Sequence, residues 1–166
     1  MRSRQKPKTH LIDNIFIDAS VFEEQNFFHG NNIRSLLYYS KIGIIKLYLT
    51  TISKMELIDR MKTRLENSKS DFNKVVRSLN NHEHRILKNI DIYNQVDLPL
   101  ITVTTGLQQL IHKLETNIRA NRINIIDSNI VITDKVFERY YQNLPPFGQG
   151  KKKYEFPDAF IIMCYY

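Results

Sequence analysis

The chain has a single cysteine, Cys164, so no intrachain disulfide can form, and this fits a reducing compartment. It has no run approaching ~18 consecutive apolar residues, so no membrane helix is expected. Its N-terminus is basic but lacks an apolar h-region, which argues against a secretory signal. Together these absences lead to an expected cytoplasmic location. There is also no internal repeat, and no linker that would divide two domains. What is present is 166 residues of which 42% are apolar, enough for one domain with a sizeable core and too apolar for a disordered chain.

The net charge of +7 suggests an anionic partner. Arg2, Arg4, Lys6 and Lys8 supply four of those charges ahead of the first apolar run, and from Thr9 onward the excess is only +3. Residues 1–10 therefore read as a basic flexible tail, which either grips an anion or is simply solvated.

Short apolar runs alternate with helical periodicity. Ile15 to Ile17, ending in Asp18, is too short for a helix and suits a buried parallel strand. Ser20 to Phe28 reads as a loop or short helix, and Ile33 to Lys41 as a helix stopped by Gly43. Ile44 to Leu49 is a second strand candidate, after which Thr51 or Ser53 can cap a helix with Ile52, Met55, Ile58, Met61 and Leu65 as its apolar stripe. Leu65, Phe72, Leu79 and Ile86 continue every seven residues, with possible breaks at Ser68 and Asn80-Asn81. Pro99 and Gly106 bracket a loop or short strand, and Leu107 to Leu114 is helical. Ile123 to Ile126 is a third strand or a linker, Val136 to Tyr141 a helix, and Pro157 the first turn of a last helix. Strands separated by helices predict an α/β fold in which helix dominates.

Three acids fall where chemistry is expected. In open α/β sheets functional groups gather at the carboxyl ends of strands, and Asp18 lies there. Glu56 sits in the helix directly after the second strand, and Asp158 begins the last helix. Converging carboxylates repel unless a cation neutralises them. Carboxylate oxygens and water suit Mg²⁺ or Mn²⁺, which can activate water against a phosphodiester. Each acid also has a plain structural use: Asp18 as a helix cap, Glu56 as an i,i+4 partner of Arg60, Asp158 as an acid at a helix N-terminus.

At this point the chain resembles the PIN-domain nuclease superfamily. Ile15-Phe16-Ile17-Asp18-Ala19-Ser20-Val21-Phe22 is similar to that family's opening strand, and the spacing from Asp18 to Glu56 matches. The stretch from Pro145-Pro146-Phe147-Gly148 through Lys151-Lys152-Lys153-Tyr154-Glu155-Phe156-Pro157-Asp158-Ala159 resembles a bacterial PIN-like branch with a long helical insertion. The resemblance implies a short parallel sheet flanked by helices, a single domain over 11–166, and a helical insertion at about 60–122. It implies a Mg²⁺- or Mn²⁺-dependent endoribonuclease with Asp18, Glu56 and Asp158 as metal ligands and catalytic residues, and Ser20 as a supporting polar residue. The family includes toxins of toxin–antitoxin systems and defence nucleases.

PIN domains usually continue past the third acid to another strand, whereas this sequence stops at Tyr166, inside the helix that Pro157 begins. The C-terminal strand or strands are therefore expected to be missing. A protein partner or homo-oligomer is expected to cover the apolar end Phe160 to Tyr166, and the alternative function is an inactive PIN-like remnant acting as an interaction or nucleic-acid-binding subunit.

RNA, or another nucleic acid, is the expected partner. Lys151, Lys152 and Lys153 can grip phosphate, and residues 60–90, with eight basic residues against three acids, can present a positive face that includes Arg60 and Arg64. His82-Glu83-His84 does not share a helix face and reads as an exposed turn rather than a metal site. Tyr38, Tyr39, Tyr140 and Tyr141 are expected in core or interface packing before base stacking.

Overall fold

A computed structural model describes residues 14–79, 102–148, 150, 152 and 155–165. Three short strands, β1 (Asn14–Phe16), β2 (Lys46–Thr50) and β3 (Ile123–Ile126), form a parallel sheet in the order β1-β2-β3. Six helices accompany them among the described residues: α1 (Ala19–Glu24), α2 (Asn31–Lys41), α3 (Thr51–Leu79), α4 (Val103–Ala120), α5 (Thr133–Tyr141) and α6 (Phe156–Met163). The α/β class read from the sequence is the observed one, and Ile123 to Ile126 is a strand rather than a linker.

The chain divides into two compact units, one comprising Met1–Leu57 and Asn117–Tyr166, the other Ile58–Thr116. The sheet lies in the first unit. Pairing places Phe16 beside Tyr48 and Thr50 beside Ile126. Ile17 N–H donates to the Tyr48 carbonyl at 2.9 Å, so the ladder continues past the end of β1 and brings Asp18 level with Thr50. Leu47 and Leu49 are fully buried on β2, as are Ile17, Phe22 and Ile33 or nearly so. In a short parallel sheet this apolar burial, not strand length, supplies the stability.

Local chemistry explains the element ends. α2 stops in a Schellman turn: Gly43, at φ +79°, donates to the Ser40 carbonyl at 3.0 Å, and Ile44 donates to Tyr39 at 2.9 Å. A Cβ at Gly43 would meet nothing within 4 Å, so the glycine is there for its left-handed backbone and not for space.

Several expectations are corrected. The cap of α3 is neither Thr51 nor Ser53 but Thr50, whose Oγ1 accepts from the Ser53 N–H at 3.0 Å and pairs with the Ser53 hydroxyl at 2.9 Å. Both groups are buried, so each needs the other. Ser68 is no break, since α3 runs through it. The apolar stripe holds in part: Met61 is buried and Ile52, Ile58 and Leu65 are half-buried, but Met55 is 70% exposed, Ser53 and Leu57 are buried instead, and Phe72 and Val75 are open to solvent. Gly106 lies inside α4 and does not close a loop. Of the core or interface packing expected for the tyrosines, the core half fails for Tyr38, Tyr39 and Tyr141, which are exposed, whereas Tyr140 is half-buried among aromatic rings. Asn80-Asn81, Ile86, His82-Glu83-His84, Pro99 and the basic tail lie outside the described residues.

A second cluster in the first unit is built from Val131, Val136, Phe147, Ala159 and Cys164, with Tyr140, Phe156 and Phe160 packed on it. Phe156 joins several rings there, with ring centroids 4.9 Å from Phe147, 5.0 Å from Tyr140 and 5.7 Å from Phe137. Tilted and edge-on contacts of this kind add about 0.5–1.5 kcal/mol each beyond area burial. They anchor the start of α6.

Leu49, fully buried on the central strand, tests the core. Leu49→Ala is expected to lower the unfolding free energy by about 2–5 kcal/mol in urea titration. Met55→Ala, on an exposed helix position, should change it by no more than about 0.5 kcal/mol.

Candidate active site

Because all three strands are parallel, their carboxyl ends share one edge of the sheet. Asp18 stands there as the N-cap of α1, with extended backbone angles of φ −84° and ψ 158°. Its Oδ2 accepts from the Ser20 N–H at 2.9 Å and from the Ser20 hydroxyl in a short hydrogen bond. Capping, the plain use anticipated for Asp18, is therefore realised, and Ser20 fixes the rotamer of that carboxylate.

The β3 side of this edge is also polar. Thr51 donates its hydroxyl proton to Ser128 Oγ at 2.8 Å and accepts from the Ser128 N–H at 2.9 Å. Asp127, immediately after β3, accepts from the Asn129 N–H at 3.0 Å. Asp127 was not singled out in the sequence, although the strand-end rule that selected Asp18 applies to it equally once β3 is known to be a strand.

Glu56 and Asp158 meet in one cavity of about 460 Å³, together with Glu155, Ile52, Met55 and Pro157. Glu56 reaches it from the second turn of α3, directly after β2. Asp158 reaches it from the first turn of α6, where Pro157 begins the helix and the Phe156 ring is clamped behind it. Glu56 and Glu155 are half-buried, and Asp158 is exposed. Glu155 is the cavity acid that sequence reasoning missed. It lay in the most distinctive segment, but its position before the helix left its direction open.

Asp18 does not line this cavity. Its carboxylate acts electrostatically on Tyr165, which lies just past the C-terminal end of α6. The Tyr165 phenol is held above its usual pKa, first by burial, then by Cys164 and the Asp18 carboxylate, both of which disfavour a second negative charge. The Tyr165 ring packs on Phe16 at 4.0 Å between centroids, and Phe16 stacks on Tyr48 at 5.1 Å. The structure thus brings Glu56 and Asp158 to one cavity, and places Asp18 on the same unit at the end of β1. Among the described residues, no three His, Cys, Asp or Glu side chains are grouped so as to hold a metal ion.

Of the expected nucleic-acid-binding residues, Lys152 is exposed in the segment before Glu155, while Lys151 and Lys153 lie outside the described residues. Arg60 and Arg64 belong to the second unit, half-buried and exposed respectively. Among the described residues, no helix is long and apolar enough to cross a membrane.

The family model for the PIN domain matches residues 15–166. The chain belongs to the PIN domain family, whose members are typically nucleases. No curated protein and no solved structure matches it.

The raised Tyr165 pKa has a testable consequence. The neutral phenol is favoured in the folded state, so this contribution to stability is complete below the unfolded pKa near 10 and is lost as pH rises through the folded value. Tyr165→Phe should therefore flatten the alkaline loss of stability in denaturant titrations above about pH 10. Asp18→Asn should lower the phenolate midpoint of Tyr165, read by ultraviolet difference titration against Tyr165→Phe, but only partway, because burial remains the larger cause.

Proposed function

We propose that this chain is a metal-dependent endoribonuclease in which Glu56 and Asp158 hold a divalent cation and Asp18 contributes from the end of β1. The observation that carries this reading is the shared cavity. Two carboxylates from distant parts of the sequence line one concave site of about 460 Å³, with a third acid, Glu155, at its wall.

The donor set suits Mg²⁺ or Mn²⁺. The acids lining the cavity offer only hard oxygen ligands, with no thiolate or imidazole to favour a softer metal. Mg²⁺ keeps several of its waters and is commonly held by one or two carboxylates plus substrate phosphates. Two protein ligands are therefore a sufficient start, and a closed set of three is not required. Like charges that share a cavity are also relieved by a cation. When bound, such an ion makes a nucleophile available from water at neutral pH and offsets charge on the phosphoryl oxygens.

The chain's own groups orient and confine. Ser20 holds the Asp18 carboxylate in one rotamer with two hydrogen bonds. The aromatic packing of Phe156 fixes the start of α6 and with it the backbone that carries Asp158. Ile52, Met55 and Pro157 give the cavity apolar walls, which lower the local dielectric and strengthen its electrostatic interactions. Lys152, exposed beside this segment, can neutralise a phosphate of the incoming strand.

Incubation with single-stranded RNA and Mn²⁺ should give internal cleavage that a chelator abolishes. Glu56→Gln and Asp158→Asn should each slow cleavage by about a hundredfold or more. Ser20→Ala should weaken metal affinity about ten- to a hundredfold while leaving the fold intact. Cleavage by Asp158→Asn at the wild-type rate would remove this reading. Wild-type protein that binds RNA and never cuts it would leave nucleic-acid binding as the function.

A further inference from the structure

The second unit carries a groove of about 340 Å³ that the proposed chemistry does not use. Two adjacent i,i+4 rows of α3 line it. One row is Lys69, Asn73 and Arg77, and the other is Glu66, Ser70 and Lys74, with Val103 on the remaining side. Among the described lining residues, three cations thus face one carboxylate, Glu66. Lys69 and Arg77 make no ion pair among the described residues. Lys74 pairs with Asp71 at 2.8 Å, but both side chains are 72% exposed, and such a pair is worth only about 0–1 kcal/mol, so a phosphate can displace it.

We propose that this groove binds the phosphate backbone of single-stranded RNA, as an accessory site separate from the Glu56 and Asp158 cavity. The proposal rests on the preceding reading for its choice of polyanion. The described lining residues favour that occupant over an acidic protein. Protein interfaces draw their energy from buried aromatic or aliphatic anchors, and among the described lining residues Val103 alone is apolar. Contacts to a nucleic-acid backbone come from lysine, arginine, serine and asparagine donors, which are the side chains present. Arg60 and Arg64, which the sequence pointed to, do not line the groove. Lys69, Lys74 and Arg77 take their place.

The test measures fluorescence anisotropy of a short labelled oligouridylate with the full chain, in chelator so that cleavage contributes nothing, over a range of salt concentrations. Each phosphate contact on a single strand adds about 0.7 to the slope of log affinity against log salt. The triple variant Lys69→Ala/Lys74→Ala/Arg77→Ala should lose about 2 from that slope and bind about tenfold more weakly at low salt. Glu66→Gln should bind more tightly than wild type. Circular dichroism checks that the exposed substitutions leave the helix intact. Asp158→Asn should keep wild-type affinity and slope while losing cleavage, so the two readings fail separately. A triple variant with unchanged affinity and slope overturns the groove, as an acidic protein occupant would require. Wild-type protein that does not bind the oligonucleotide at low salt overturns it too.

Discussion

Parallel pairing of β2 on both sides is the constraint from which the candidate site follows. A parallel ladder sends every strand end to the same edge, so Asp18 after β1, the start of α3 after β2 and Asp127 after β3 come to one side of the sheet. An antiparallel neighbour would have sent one of these groups to the far edge. The ladder is short, with three to five residues per strand, and side chains reinforce it. Thr50 caps α3 through the buried Ser53, and Thr51 exchanges two hydrogen bonds with Ser128. The strand-to-helix junction before Glu56 is therefore tied to β3 by polar groups and to the core by Leu49 and Leu57.

The second determinant is aromatic. Phe156 is held by Phe137, Tyr140 and Phe147, and this packing sets where α6 begins. Pro157 then supplies a helix-compatible φ without an unsatisfied N–H at the first turn. Asp158 follows in that turn, where the helix dipole favours a carboxylate and is in turn complemented by it. The rings beside it thus set where the backbone that carries the acid begins its helix.

Asp18 shows how a residue can be at the expected place and still have a local task. Its Oδ2 is committed to Ser20 and its charge is felt by Tyr165. A carboxylate that caps a helix pays little for its charge, because backbone and hydroxyl protons stabilise the ionised form. The same hydrogen bonds orient it, so capping and the support of a cation are compatible uses of one side chain.

The order of residues alone pointed to the first two strands, the α/β class, the helix that Gly43 stops and the helix whose first turn holds Pro157, because each depends on local periodicity, turn chemistry or a fixed backbone angle. Ile123 to Ile126 could be strand or linker until its pairing with β2 decided it. It also marked Asp18, Glu56 and Asp158, since strand ends and helix starts can be read along the chain. Other features were open until the chain was folded. Which face of α3 is buried was one: of the stripe Ile52, Met55, Ile58, Met61 and Leu65, Met61 is buried but Met55 is exposed, while Ser53 and Leu57 are buried, and tertiary packing decides this. That Gly106 sits inside a helix and that Thr50 is the cap were others, because tertiary packing outweighs the small local preferences at those positions. Which acids share a cavity was decided last. Glu56, Glu155 and Asp158 line one cavity that Asp18 does not line, because side-chain direction is set by packing between elements far apart in sequence and not by spacing along it.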